Sequence, residues 1–162
     1  MKKFRKIVIC LLSILTFAGC DGVDCPLNNI VYSTWGFYAD GSNVTIDDTI
    51  YVYAKVKGVD TLLINQLYNA SSMNIPLSYY QPADTFTLEI HQYVDSASYD
   101  IFSDQIIINK EDLAHFNSPE CGVWHEHNVK EVSNTTTIID SIQVVRQIID
   151  TNEQENFRIH FK

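Results

Sequence analysis

Alternation with a period of two runs through this chain and restricts what it can fold into. From Ile50 to Val56, the residues Ile50, Val52, Ala54 and Val56 alternate with Tyr51, Tyr53 and Lys55. In an extended strand these two sets occupy opposite faces. Phe86, Leu88 and Ile90 alternate likewise with Thr87, Glu89 and His91, and Phe157, Ile159 and Phe161 with Arg158, His160 and Lys162. Further β-rich runs cover 30–38, 60–64, 75–80, 101–109, 123–130 and 137–149. No segment of ten or more residues carries a helical stripe, and the best helical candidate is a single turn at Lys110 to His115.

Turn signals such as Ala39-Asp40-Gly41-Ser42 and Gln81-Pro82 separate the runs. The expected architecture is all-β, an antiparallel β-sandwich of immunoglobulin-like or similar type. A transmembrane barrel needs strands of roughly ten residues with an apolar band facing lipid, and most runs here are shorter with a polar face.

The N-terminus reads differently. Lys2, Lys3, Arg5 and Lys6 precede an uncharged, mostly apolar run from Ile7 to Ala18. A membrane-spanning helix needs roughly 20 apolar residues, and this run is shorter and is soon followed by Asp21 and Asp24. It has the layout of a signal peptide. The ending Phe17-Ala18-Gly19-Cys20 resembles a lipobox, with Phe17 where an aliphatic residue is usual. The resemblance implies a lipoprotein signal peptide at 1–19, lipidation of Cys20 (diacylglycerol and palmitate), a tether at 20–26 and a single domain at 27–162. Ordinary secretory cleavage is the competing reading.

Four of the eleven basic residues leave with such a signal, so 7 Lys+Arg would face 20 Asp+Glu. Nucleic acid is a poor partner for that surface, since it requires basic patches. Cys10 leaves with the signal and Cys20 is taken by lipid, which leaves Cys25 and Cys121. Two thiols outside the cytoplasm point to one disulfide. Half of a zinc site is the alternative, without the closely spaced partners that structural zinc uses.

Asp recurs before Thr or Ser and an apolar residue at Asp48-Thr49-Ile50, Asp60-Thr61-Leu62, Asp84-Thr85-Phe86, Asp95-Ser96-Ala97 and Asp140-Ser141-Ile142. Turn closure followed by strand entry explains the triplets. They also resemble the O-glycosylation acceptor pattern of Bacteroidales envelope proteins, which would place sugars on Thr49, Thr61, Ser96 and Ser141.

His125-Glu126-His127 is the one constellation that could carry chemistry. On a strand the two imidazoles share a face about 6.6 Å apart, within reach of one metal. That face also holds Cys121, Val123 and Val129, so two structural or surface histidines at the core margin are the preferred reading. Without a third ligand at an identifiable spacing, no metal and no cofactor are expected. No Gly-x-Ser-x-Gly elbow or phosphate-cradling loop occurs either, and the chain is read as non-enzymatic. Tyr32, Trp35, Phe37 and Tyr38, then Tyr51 and Tyr53, then Tyr79 and Tyr80 offer aromatic surface suited to protein or sugar contacts.

Asp24-Cys25-Pro26-Leu27, Ile75-Pro76-Leu77-Ser78, Ser118-Pro119-Glu120-Cys121-Gly122, Asp140-Ser141-Ile142 and Glu155-Asn156-Phe157-Arg158-Ile159 together resemble a family of uncharacterised Bacteroidales lipoproteins, a domain of unknown function. The resemblance implies an envelope location and paired cysteines, and it brings no catalytic residues. The expected function is a lipid-anchored cell-envelope module, at the outer membrane, that binds or supports an envelope protein partner. The alternative is a module for a small ligand, sugar or metal. A concave pocket holding His125, His127 and a carboxylate would favour the second.

Overall fold

The computed structural model describes residues 30–94, 98–116, 119 and 121–162. They form eleven strands: β1 (Tyr32–Ala39), β2 (Ser42–Asn43), β3 (Thr49–Val56), β4 (Val59–Leu67), β5 (Ser72–Pro76), β6 (Ala83–Tyr93), β7 (Tyr99–Phe116), β8 (Val123–Asn134), β9 (Ile139–Val144), β10 (Ile148–Ile149) and β11 (Glu155–Phe161). Two sheets result. One runs β2-β1-β11-β9 with β5 also paired to β1, and the other runs β10-β8-β7-β6-β3-β4. This is the expected all-β sandwich. Its pairs are antiparallel except β1 with β11, which run parallel.

The period-two segments behave as their patterns dictate. Ile50 and Val52 of β3, Phe86, Leu88 and Ile90 of β6, and Phe157 and Ile159 of β11 all lie in the core. They meet Trp35 and Phe37 of β1, and the rings of Trp35 and Phe157 stack with centroids 4.1 Å apart. The indole Nε1 donates to Ser33 Oγ at 2.8 Å, and that hydroxyl donates to the Ile75 carbonyl at 2.8 Å. No polar atom of this buried trio is left unpaired, as burial requires. Two hairpins turn on residues with positive φ, Asp40 with Gly41 and Lys57 with Gly58. That is the primed geometry that matches strand twist.

Several strands differ from their sequence expectation, each for a local reason. The run at 75–80 ends as a strand at Pro76, because residues 77–82 leave one sheet and cross to the other. The run at 137–149 divides into β9 and β10, which belong to different sheets. The helical turn expected at Lys110 to His115 is instead strand, the far end of β7, paired with β8 through Phe116 and Val123. The apolar alternation of Ile106 and Ile108 stops at Lys110, yet Lys110 continues the inward face and is buried.

Where the chain crosses between sheets, its backbone amides lose ladder partners and need others. Asp104 supplies them for the β8–β9 crossing. Its carboxylate accepts from Thr137 N at 2.8 Å, Ile138 N at 2.7 Å, Ile139 N at 2.8 Å and the Thr135 hydroxyl at 2.5 Å. Burial raises the Asp104 carboxyl pKa, but these four donors outweigh it and hold the group below its ordinary 3.8. Asn156 serves the β9–β10 crossing, accepting from Thr34 N at 3.1 Å and donating to the Arg146 and Ile148 carbonyls at 3.4 and 3.1 Å. Asp104→Asn keeps the shape and removes the charge, turning an amide NH2 towards buried donors. We expect a loss of about 3 kcal/mol, read as a lower urea midpoint at unchanged m-value.

Candidate functional site

A buried cation organises one end of the sandwich. Lys110 Nζ has no exposed surface; it donates to Asp112 Oδ1 and Oδ2 at 2.8 and 2.9 Å, to the Gln81 carbonyl at 3.1 Å and to the Ser78 carbonyl, with Asp84 Oδ2 at 3.6 Å. Asp84 in turn accepts from Ser78 N at 3.1 Å and Gln81 Nε2 at 2.8 Å. Its carboxylate and the ammonium therefore pin the 77–82 crossing from β6 and β7 respectively. An ammonium without solvent is tolerable only when paired and hydrogen-bonded.

β8 adds the histidines. Asn109 pairs with Glu131 and Lys110 with Val129, so Lys130 is an extra residue in a bulge. The bulge keeps Val129, His127 and His125 on the inward side and sets Asp112 opposite His127. His127 is buried, and its Nδ1 lies 2.6 Å from Asp112 Oδ1. An ionised carboxylate only accepts, so the ring proton sits on Nδ1. His125 is half-buried and stacks on Tyr79, centroids 4.6 Å apart at 12°.

Asp84, His125 and His127 line a cavity of about 220 Å³, with Lys110 and Asp112 behind them. Val31, Ala54, Val56, Leu63, Leu77 and Phe86 form its apolar wall, while Tyr79, Gln81, Asp84, His125 and His127 supply the polar one. A more open hollow of about 310 Å³ lies at the opposite end, among Ile46, Ile90, Phe102, Ile138 and Phe161. Its charged groups are Asp48 and the exposed Lys162.

The residues singled out in the sequence fall in different places. His125 and His127 do share a face, but His127 is tied to Asp112. Among the described residues no group of three or more His, Cys, Asp or Glu is placed to hold a metal ion. Thr61 and Ser141 are exposed, whereas Thr49 is buried. Cys20, Cys25 and Ser96 lie outside the described residues, and Cys121 is buried just before β8. Trp35 and Phe37 belong to the core, while Tyr79 and Tyr80 stay exposed beside the cavity. Asp84 showed in sequence only as the head of a strand-start triplet, and Lys110 and Asp112 carried no motif. Their one trace was an apolar alternation that stopped although the strand continued.

A two-sheet β-sandwich with a polar-ended cavity between its layers is thus the class that this fold and site define. The chain belongs to the family of unknown function DUF6452, whose pattern matches residues 42–161. No curated protein and no solved structure matches the chain.

Burial holds the His127 imidazole below its usual 6.5 and the Lys110 ammonium pushes the same way; the bond to Asp112 and the charges of Asp112 and Asp84 oppose this without reversing it. The unfolded chain then binds a proton near pH 6.5 and the folded chain only at lower pH. Stability from the neutral ring is complete above about 6.5 and drains as pH falls towards the folded value. Relative to His127→Gln, the native protein should lose its advantage below pH 6.5 by up to about 1.4 kcal/mol per pH unit, read by urea unfolding at a series of pH values.

Proposed function

We propose that this chain is a non-enzymatic binding module of the cell envelope, and that its binding site is the cavity beside His127. The observation that carries the reading is the cavity itself, concave, apolar-walled and ended by a few convergent polar groups, the usual form of a small-ligand site. Non-enzymatic action is supported by how the polar groups are spent. Asp112, Asp84 and Lys110 use most of their bonding capacity on one another and on the 77–82 backbone.

The envelope address rests on the N-terminal sequence, with lipid on Cys20 as the anchor and one disulfide between Cys25 and Cys121. More than one acyl chain makes membrane release slow. Sugars on the exposed Thr61 and Ser141 are compatible with such an address. A protein partner is the second reading. It is favoured by rings on the outer face of the larger sheet, where Tyr51 meets His91 at 4.4 Å with the planes tilted by 40°, His91 stacks on Tyr99 at 5.0 Å, and exposed Tyr93 meets Tyr99 at 6.1 Å.

Intact mass of the protein extracted from membranes without reductant tests the address. The mature mass should begin at an acylated Cys20 and be lighter by two hydrogens than the dithiol form, and Cys20→Ala should abolish the acyl mass. An unmodified N-terminus would refute the anchor, and a full dithiol mass the disulfide. The cavity is tested by ligand-observed NMR against a chemically diverse set of small fragments. Binding should be lost in Ala54→Phe, which fills the cavity from β3. Binders that ignore Ala54→Phe but respond to Tyr99→Ala would move the site to the outer face, and a silent set would refute the pocket.

A further inference from the structure

The charge and hydrogen-bond balance of the cavity's polar end selects its ligand, an inference that rests on the binding reading above. We infer that the cavity takes a small apolar amine, a ring with a short arm, whose ammonium donates to His127 Nε2 and Asp84. Size comes first. A cavity of about 150 Å³ accepts benzene, so about 220 Å³ suits a six-membered ring with a one-carbon arm and its head group. The walls of Val31, Val56, Leu77 and Phe86 match such a ring.

The head group follows from what the end wall presents. His127 is 2% exposed and carries its proton on Nδ1, towards Asp112. Nε2 is left as a lone pair, on a ring that lines the cavity. Asp84, 4% exposed, accepts from Ser78 N and Gln81 Nε2 and faces Lys110. A carboxylate has about four acceptor positions, so at least one remains even with Lys110 at 3.6 Å taking a share. Both groups accept, and a complementary head must donate.

Charge narrows the choice further. Asp84 and Asp112 bring two negative charges against the single positive charge of Lys110, and His127 is neutral, so one negative charge is uncompensated where little water reaches. An ammonium cancels it with charge-assisted bonds, an alcohol only bonds to it, and a carboxylate is repelled.

Isothermal titration of the purified mature protein with cyclohexylmethylamine, cyclohexanemethanol and cyclohexanecarboxylate, three near-isosteres, tests this. We expect the amine to bind at least about tenfold tighter than the alcohol and the carboxylate to give no heat. Asp84→Asn should erase the amine's advantage while leaving the alcohol bound. Should that variant not fold, the ¹⁵N resonance of His127 Nε2 in the native protein reads donation to its lone pair directly and should move with the amine. Equal binding of amine and alcohol, tighter binding of the carboxylate, or an unmoved Nε2 resonance would overturn the amine assignment while leaving a cavity-binding protein, provided Ala54→Phe abolishes that binding. Silence from all three overturns the assignment as well, and the diverse fragment set then decides whether the cavity binds anything.

Discussion

A chain that passes between two stacked sheets must leave its hydrogen-bond ladder inside or beside the core, and an amide or carbonyl stranded there costs a few kcal/mol. This sandwich meets that cost with single buried polar side chains projecting from the strands. Asp104 accepts from three consecutive amides of the β8–β9 crossing. Asn156, seated at the irregularity between β1 and β11, holds the β9–β10 crossing by two carbonyls. Asp84 and Lys110 hold the 77–82 crossing from opposite signs of charge, one taking an amide and the other two carbonyls. The apolar layers set the sandwich's thickness, and these polar residues set the path of the chain around it.

The cavity follows from the third of these arrangements. Lys110 is too polar to sit in a dry core alone, so it draws in Asp112 as well as Asp84, and Asp112 draws in His127. Each addition satisfies the previous group and leaves something over. The last members of the series, the ring of His127 and the carboxylate of Asp84, line the cavity. Structural satisfaction and the proposed recognition surface therefore involve the same residues, and separating the two by mutation requires a readout other than stability alone.

The apolar half of this design could be read from the residues. Ile50 to Val56, Phe86 to Ile90 and Phe157 to Phe161 are strands in the register that their alternation implies, because each has one face buried and a one-residue slip would turn that face outward. The polar half could not. Lys110 to His115 resembles the end of a strand or a helical turn, since an inward lysine breaks the alternation that identifies strands. His125 and His127 announce a shared face, but the partner of His127 is fifteen residues away on β7, and the bulge at Lys130 that aligns them has no sequence signature. The parallel pairing of β1 and β11 was equally hidden, because it depends on which strands become neighbours and not on the pattern of either.

That parallel pair also shapes how the protein acquires its structure. Thr34 and Asn156, bonded across it, are 122 residues apart in sequence, and the stacked rings of Trp35 and Phe157 join the same two strands. The β1–β11 joint at the centre of the smaller sheet thus has no local hairpin to close it, and its closure entropy must be met before its contacts form. A nascent chain that lacks β11 can build the hairpins of the larger sheet but leaves the indole of Trp35 without the ring of Phe157. Folding of this domain is consequently gated by arrival of its last strand, which makes the step slow relative to hairpin formation and exposes the unclosed sheet to chaperones and proteases in the interval.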